Sequence, residues 1–228
     1  MELVIALIIS VVFSAALKTP LKKCPWIFYL IAAVICAIFC SQIMFEKTPD
    51  LAITLYPYMQ RGLIGFGLIT VVMFIGVFPT NSPVRRYLMP IRGELSIVAC
   101  ILTCGHVVNY FVSYFGRFIE GFASLQLNEV ASFVVSFILV ILLAVLTVTS
   151  FNFVRKRMKS ATWKKVQLLA YPFFILTYLH IAFILITPNF SLDSKAFISV
   201  AIYTAIMVAY VVLRLMQHNR TKQLEVSA

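Results

Sequence analysis

Residues 130–151 read VASFVVSFILVILLAVLTVTSF, 22 positions without a charged side chain. A bilayer's hydrocarbon core, about 30 Å thick, needs about 20 mostly apolar residues per helix. Unpaired backbone amides are costly in hydrocarbon, and a helix closes its own hydrogen bonds, so this stretch predicts a membrane-spanning helix. Its apolar residues are consecutive rather than alternating, which argues against a β-barrel strand. Working outward, the same reading applies to Leu3–Leu17, Trp26–Phe45, Leu63–Pro79, Glu94–Phe115, Val166–Thr187 and Ala196–Leu213, the first and third of these being short. The predicted fold class is all-α: a polytopic transmembrane helical bundle of about seven spans forming a single domain over residues 1–228. Composition agrees, with 62% hydrophobic residues, 12% charged and a mean hydropathy of +0.99, far from the range of water-soluble domains.

The formal charge of +11 would suit a nucleic-acid partner, but its distribution excludes one. Of the 19 Lys and Arg residues, 15 fall on alternate connections: Lys18, Lys22 and Lys23; Arg85, Arg86 and Arg92; the run from Arg155 to Lys165; and the tail with Arg214, Arg220 and Lys222. Only Lys47, Arg61, Arg117 and Lys195 fall on the other side. The positive-inside rule makes the rich side cytoplasmic, which predicts an outside N-terminus and a cytoplasmic tail at 214–228. No Lys or Arg precedes the first apolar run, and no small-residue cleavage site follows it, so a retained helix is expected rather than a removed signal peptide. No connection exceeds about 18 residues, so a soluble catalytic or nucleotide-binding domain has no room.

Three connections carry signals of their own. Thr80–Gly93, TNSPVRRYLMPIRG, reads as a structured cytoplasmic loop. Asn152–Lys165 is strongly basic and suits contact with anionic lipid or docking of an acidic electron donor. Glu46–Gly62, with Tyr56, Pro57 and Tyr58, suits an interfacial or re-entrant segment. Glu94 is expected to pair with Arg92 or with helix N-terminal amides.

Two of the three histidines, His106 and His180, fall inside spans, and His218 lies in the tail. Ionisable groups at bilayer depth need partners or a function. His106 lies 12 residues beyond Glu94, and His180 lies 14 beyond Val166, on two helices that run in the same direction. At about 1.5 Å per residue, both are roughly 18 to 21 Å from the cytoplasmic end. Two imidazoles at one level can ligate one haem iron from opposite faces. Val107, Tyr110, Phe111, Phe173, Phe174, Tyr178 and Phe183 offer an apolar and aromatic lining. The five cysteines form no Cys-x-x-Cys pattern, and Cys100 and Cys104 read as small packing residues.

Two segments carry a family resemblance. Val84-Arg85-Arg86-Tyr87-Leu88, followed by Gly105-His106-Val107-Val108-Asn109-Tyr110, is similar to paired arginines ahead of a helix with His-x-x-polar-Tyr. Trp163-Lys164-Lys165-Val166-Gln167-Leu168, running through Ala170-Tyr171 to Leu179-His180, is similar to a helix that ends in a haem-ligating histidine. Both resemble the ferric reductase-like transmembrane family, especially the haem-binding membrane subunit of bacterial methionine sulfoxide reductase systems.

The resemblance implies a haem-binding core over 80–187 that passes electrons across a bacterial inner membrane, with His106 and His180 as axial ligands. Members with two stacked haems carry a second histidine pair nearer the cytoplasm. Those levels hold Arg92 or Gly93 and Gln167 here, so one haem b is expected. A flavin or quinone would have no motif of its own. Arg61 and Arg117, the outer-side arginines, are expected to meet the haem propionates or to act as interfacial anchors. The expected role is the electron-transfer subunit of an oxidoreductase, in contact with membrane lipid and a redox partner or a quinone or flavin donor. A cofactor-free transporter or channel using the two histidines, and a membrane scaffold, are the competing readings.

Overall fold

The computed structural model describes residues 2–45, 50–121, 125–186 and 194–226. Lys47 and Thr187 lie outside these. The chain is a succession of helices: α1 Glu2–Ala16, α2 Lys18–Lys23, α3 Pro25–Phe45, α4 Asp50–Gln60, α5 Leu63–Ile75, α6 Pro83–Leu88, α7 Arg92–Ile119, α8 Leu127–Val148, α9 Asn152–Arg157, α10 Ser160–Gln167, α11 Ala170–Leu185 and α12 Ser194–Val226. A 3-10 turn, Met89–Ile91, joins α6 to α7. Among the described residues there is no strand. Four stretches are long and apolar enough to cross a membrane: Pro83–Arg117, Leu127–Val148, Ser160–Leu185 and Ala196–Arg220. Glu2–Ala16, Pro25–Ser41 and Leu63–Ile75 are apolar but shorter.

The bundle is apolar outside. On α8, Val134, Ile138, Ile141, Val145 and Val148 are all exposed, and their spacing of three and four places them on one helical face. The opposite face buries Ser132. Such an inverted pattern fits lipid as solvent, where side chains facing hydrocarbon are apolar and polar groups pair between helices.

α5 is the most enclosed helix, packing against α1 on one side and α7 on the other. Small residues permit both contacts. On α1, Ala6, Ser10 and Ser14 recur every four residues and are buried, with the two serine hydroxyls donating to the carbonyls of Ala6 and Ser10. A Cβ on Gly67 would run into the Ser10 hydroxyl and the Ala6 carbonyl, and one on Gly65 would run into Thr103 of α7. Gly67→Val is therefore expected to destabilise the bundle by about 1–3 kcal/mol, the usual range for overpacking. The fall in thermal midpoint of the detergent-solubilised protein measures it.

At the basic end, the Thr80–Gly93 connection is mostly helical. Pro83 starts α6 at a position where its missing N–H removes no helical bond, and the 3-10 turn at Pro90 leads directly into α7. The 152–165 connection folds into α9 and α10. Trp163 Nε1 donates to the Thr149 carbonyl at 2.9 Å, tying α10 to the end of α8. α12 continues past Leu213 to Val226, so the tail is helical as far as Val226 and continuous with the last apolar helix. Glu94 does not pair with Arg92. Residues two apart on a helix point to different sides, and Glu94 instead accepts a long 3.4 Å hydrogen bond from Asn152.

Candidate functional site

His106 sits in the middle of α7, against the turn between α4 and α5. Its Nδ1 lies 2.6 Å from the carbonyl oxygen of Gln60, the last residue of α4. A carbonyl can only accept, so Nδ1 carries the proton and Nε2 keeps its lone pair. Gly62 makes this approach feasible. Its φ of 65° is in the left-handed region, and a Cβ there would come within 3.2 Å of His106 Cγ. Gly105 serves the other side of α7, where an added Cβ would sit 3.1 Å from Phe39 and 3.2 Å from Met59.

His180 is held by α8, to which α11 is packed. Its Nδ1 is 2.9 Å from Ser132 Oγ, 3.0 Å from Ser136 Oγ and 3.3 Å from the Ser132 carbonyl. Ser136 donates its own proton to the Ser132 carbonyl at 2.8 Å, so its oxygen is left to accept from Nδ1–H. His180 thus has the same tautomer as His106, with Nε2 again bearing the lone pair. The two serines are four apart on α8 and present both hydroxyls to one ring.

The two imidazoles lie together between α7 and α11. Their ring centres are 6.3 Å apart and their planes are at 87°. Two metal–nitrogen bonds of about 2 Å, with about 1 Å from each nitrogen to its ring centre, separate the rings of a bis-imidazole metal site by roughly 6 Å. The observed separation, with both Nδ1 atoms engaged by the protein, fits such a pair. Among the described residues no group of three or more His, Cys, Asp or Glu side chains could hold a metal ion.

The surroundings divide the expected lining. The Tyr110 ring lies 4.9 Å from that of His106, tilted by 55°, and leads through Tyr114 to Phe133 of α8. Phe111 instead faces outward, 53% exposed, beside Phe115. Phe174 is 1% exposed and packs on Phe66 and Tyr210, in the core shared with α5 and α12. Tyr178 pairs its hydroxyl with Thr204 of α12 at 2.9 Å. Arg61 adjoins the Gln60–Gly62 turn and forms an ion pair with Glu2, both side chains being largely exposed. Arg117 lies 5.1 Å over the Tyr114 ring, near the end of α7. The level of Gln167 is separate: its Nε2 donates to Thr149 Oγ1 at 2.9 Å.

The profile of the family described as ferric reductase like transmembrane component matches residues 61–178. That segment begins at the Gly62 turn, contains His106, Ser132 and Ser136, and ends two residues before His180. The chain belongs to the ferric reductase-like transmembrane family. It is an integral membrane protein, and its family suggests electron transfer within the membrane. An uncharacterized protein of Treponema pallidum (strain Nichols) is 32% identical over 219 residues, 94% of this chain. The chain spans about 60% of that relative's length. No solved structure matches.

Sequence reading singled out the histidines but missed their holders, Gln60, Gly62, Ser132 and Ser136. The Ser-x3-Ser spacing inside an otherwise apolar α8 was a readable signal. The Gln60 carbonyl was not, because a backbone acceptor is supplied by the turn and has no residue identity.

Proposed function

We propose that this ferric reductase-like chain is a membrane electron-transfer subunit that holds one b-type haem between His106 and His180 and serves a partner reductase. The observation that carries this reading is the ring pair: two histidines 6.3 Å apart, each with Nδ1 tied to the protein and Nε2 available. Bound haem would supply reversible one-electron chemistry at its iron. The chain's own part is to fix two neutral imidazoles and to keep water from their inner edges. Gln60 orients the first ring and the Ser132–Ser136 pair the second, which raises the basicity of each ligating nitrogen. Arg61 and Arg117 are the cations assigned to the propionates, Arg61 exchanging Glu2 for a propionate.

The three shorter apolar helices complete a seven-span arrangement with the basic connections inside and the N-terminus outside, in a bacterial inner membrane. The donor then reaches the chain from the basic face and the acceptor from the other. Vesicles reconstituted with the full chain and loaded with ferricyanide test the function. External dithionite is expected to reduce the trapped ferricyanide at a rate proportional to the haem-loaded chain; a rate equal to that of protein-free vesicles would overturn the reading. Replacing Ser132 and Ser136 together by Ala is expected to weaken haem retention about 10–100-fold, the range for losing hydrogen bonds that orient a ligand. Haem remaining per chain after dilution measures it.

A further inference from the structure

A cavity of about 470 Å³ opens at the basic end of the bundle, away from the histidine pair. This volume is in the range of small-ligand sites. Arg85, Arg92, Lys164 and Arg214 line it, with Trp163 and Tyr171, and its described lining contains no Asp or Glu. Tyr210 adds to the polar part of the lining. Converging cations repel one another unless an anion joins them. They are also held in place: Arg85 Nη1 donates to the Phe78 carbonyl at 2.8 Å, and Arg214 lies 4.9 Å over the Tyr171 ring. Both therefore keep further N–H donors for a ligand. A second cavity of about 290 Å³ shares Gly76, Arg85 and Arg214 and extends the opening towards His218.

Met73, Val77 and Leu168 give the same cavity an apolar part of its lining. Guanidinium groups and apolar side chains in one cavity, between helices at the end of a membrane bundle, match an anionic headgroup and the first carbons of its acyl chains. We infer that this cavity is a binding site for the phosphate of an anionic membrane lipid, with Arg85, Arg92 and Arg214 on the phosphate and the apolar lining against the glycerol and upper acyl carbons. The site is independent of haem.

Trp163 lines the cavity, and the chain's other tryptophan is Trp26. Trp26→Phe therefore makes Trp163 the sole reporter. The full chain in phosphatidylcholine nanodiscs would be titrated with phosphatidylglycerol, and separately with inorganic phosphate. A saturable change in Trp163 emission with phosphatidylglycerol is expected, with apparent affinity reduced about 10-fold or more by Arg92→Gln combined with Arg214→Gln. Lysine at both positions should restore part of the response, which separates loss of charge from loss of fold, and size-exclusion profiles check the latter. Equal responses of wild type and the double Gln variant would overturn the site. Saturation by inorganic phosphate alone, without response to the lipid, would overturn lipid as its source.

Discussion

His106→Ala and His180→Ala are each expected to give a chain that inserts in the membrane but retains less than about one tenth of the wild-type b-type haem signal, because each removes one of two axial ligands. The two ring centres are 6.3 Å apart and would share one iron, so losing either should be nearly as damaging as losing both. A purely structural role predicts something different. Removing the His106 ring leaves the Gln60 carbonyl without its donor, at about 1–3 kcal/mol. His106→Gln separates these effects, because its amide can still donate to that carbonyl but is a poor iron ligand. It should keep the thermal midpoint near wild type and still lose the haem signal. A chain that keeps the signal in His106→Gln would remove His106 from the site.

The second large effect is at Gly62. Gly62→Val combines two penalties: a left-handed φ of 65°, which β-branched residues avoid at about 1–2 kcal/mol or more, and a Cβ 3.2 Å from His106 Cγ. The turn can relieve the clash only by moving the Gln60 carbonyl away from Nδ1, so the ring loses its position and tautomer control together. Haem content is expected to fall about 10-fold, as for loss of a ligand's orienting bond. Gly121 provides the control. Its φ is 71°, but nothing lies within 4 Å of the position a Cβ would take, so Gly121→Val carries the backbone strain without the contact. Haem content should survive in that variant. Equal haem loss in both variants would mean that strain, rather than the approach to His106, governs the result.

How much of this was legible in the sequence follows from which forces act locally. Each of the seven apolar runs contains a helix, four of them in stretches long and apolar enough to cross a membrane, because a run such as 130–151 has one low-energy state in hydrocarbon. Their ends were less legible. The 80–93 and 152–165 connections, rich in charge and proline, still form short helices, and α12 runs on well beyond its apolar part. Helix propensity extends these ends where hydropathy no longer signals. At the site, two histidines at one depth could be read from residue spacing, since a helix converts sequence distance into height. Their partners could not be read that way, because α4, α5 and α8 reach the rings only through packing. Arg61 shows the same limit: its place on the side poor in positive charge could be read from sequence, while its nearness to His106 and its ion pair with Glu2 depend on how α4, α5 and α1 pack.

The most direct measurement is the reduced-minus-oxidised visible spectrum of the wild-type chain purified in detergent from haem-replete cells, with haem and protein quantified together. The account predicts a b-type spectrum with one haem per chain, the number that one histidine pair can hold. A colourless protein under those conditions, or a spectrum unaffected by replacing both His106 and His180, would contradict it.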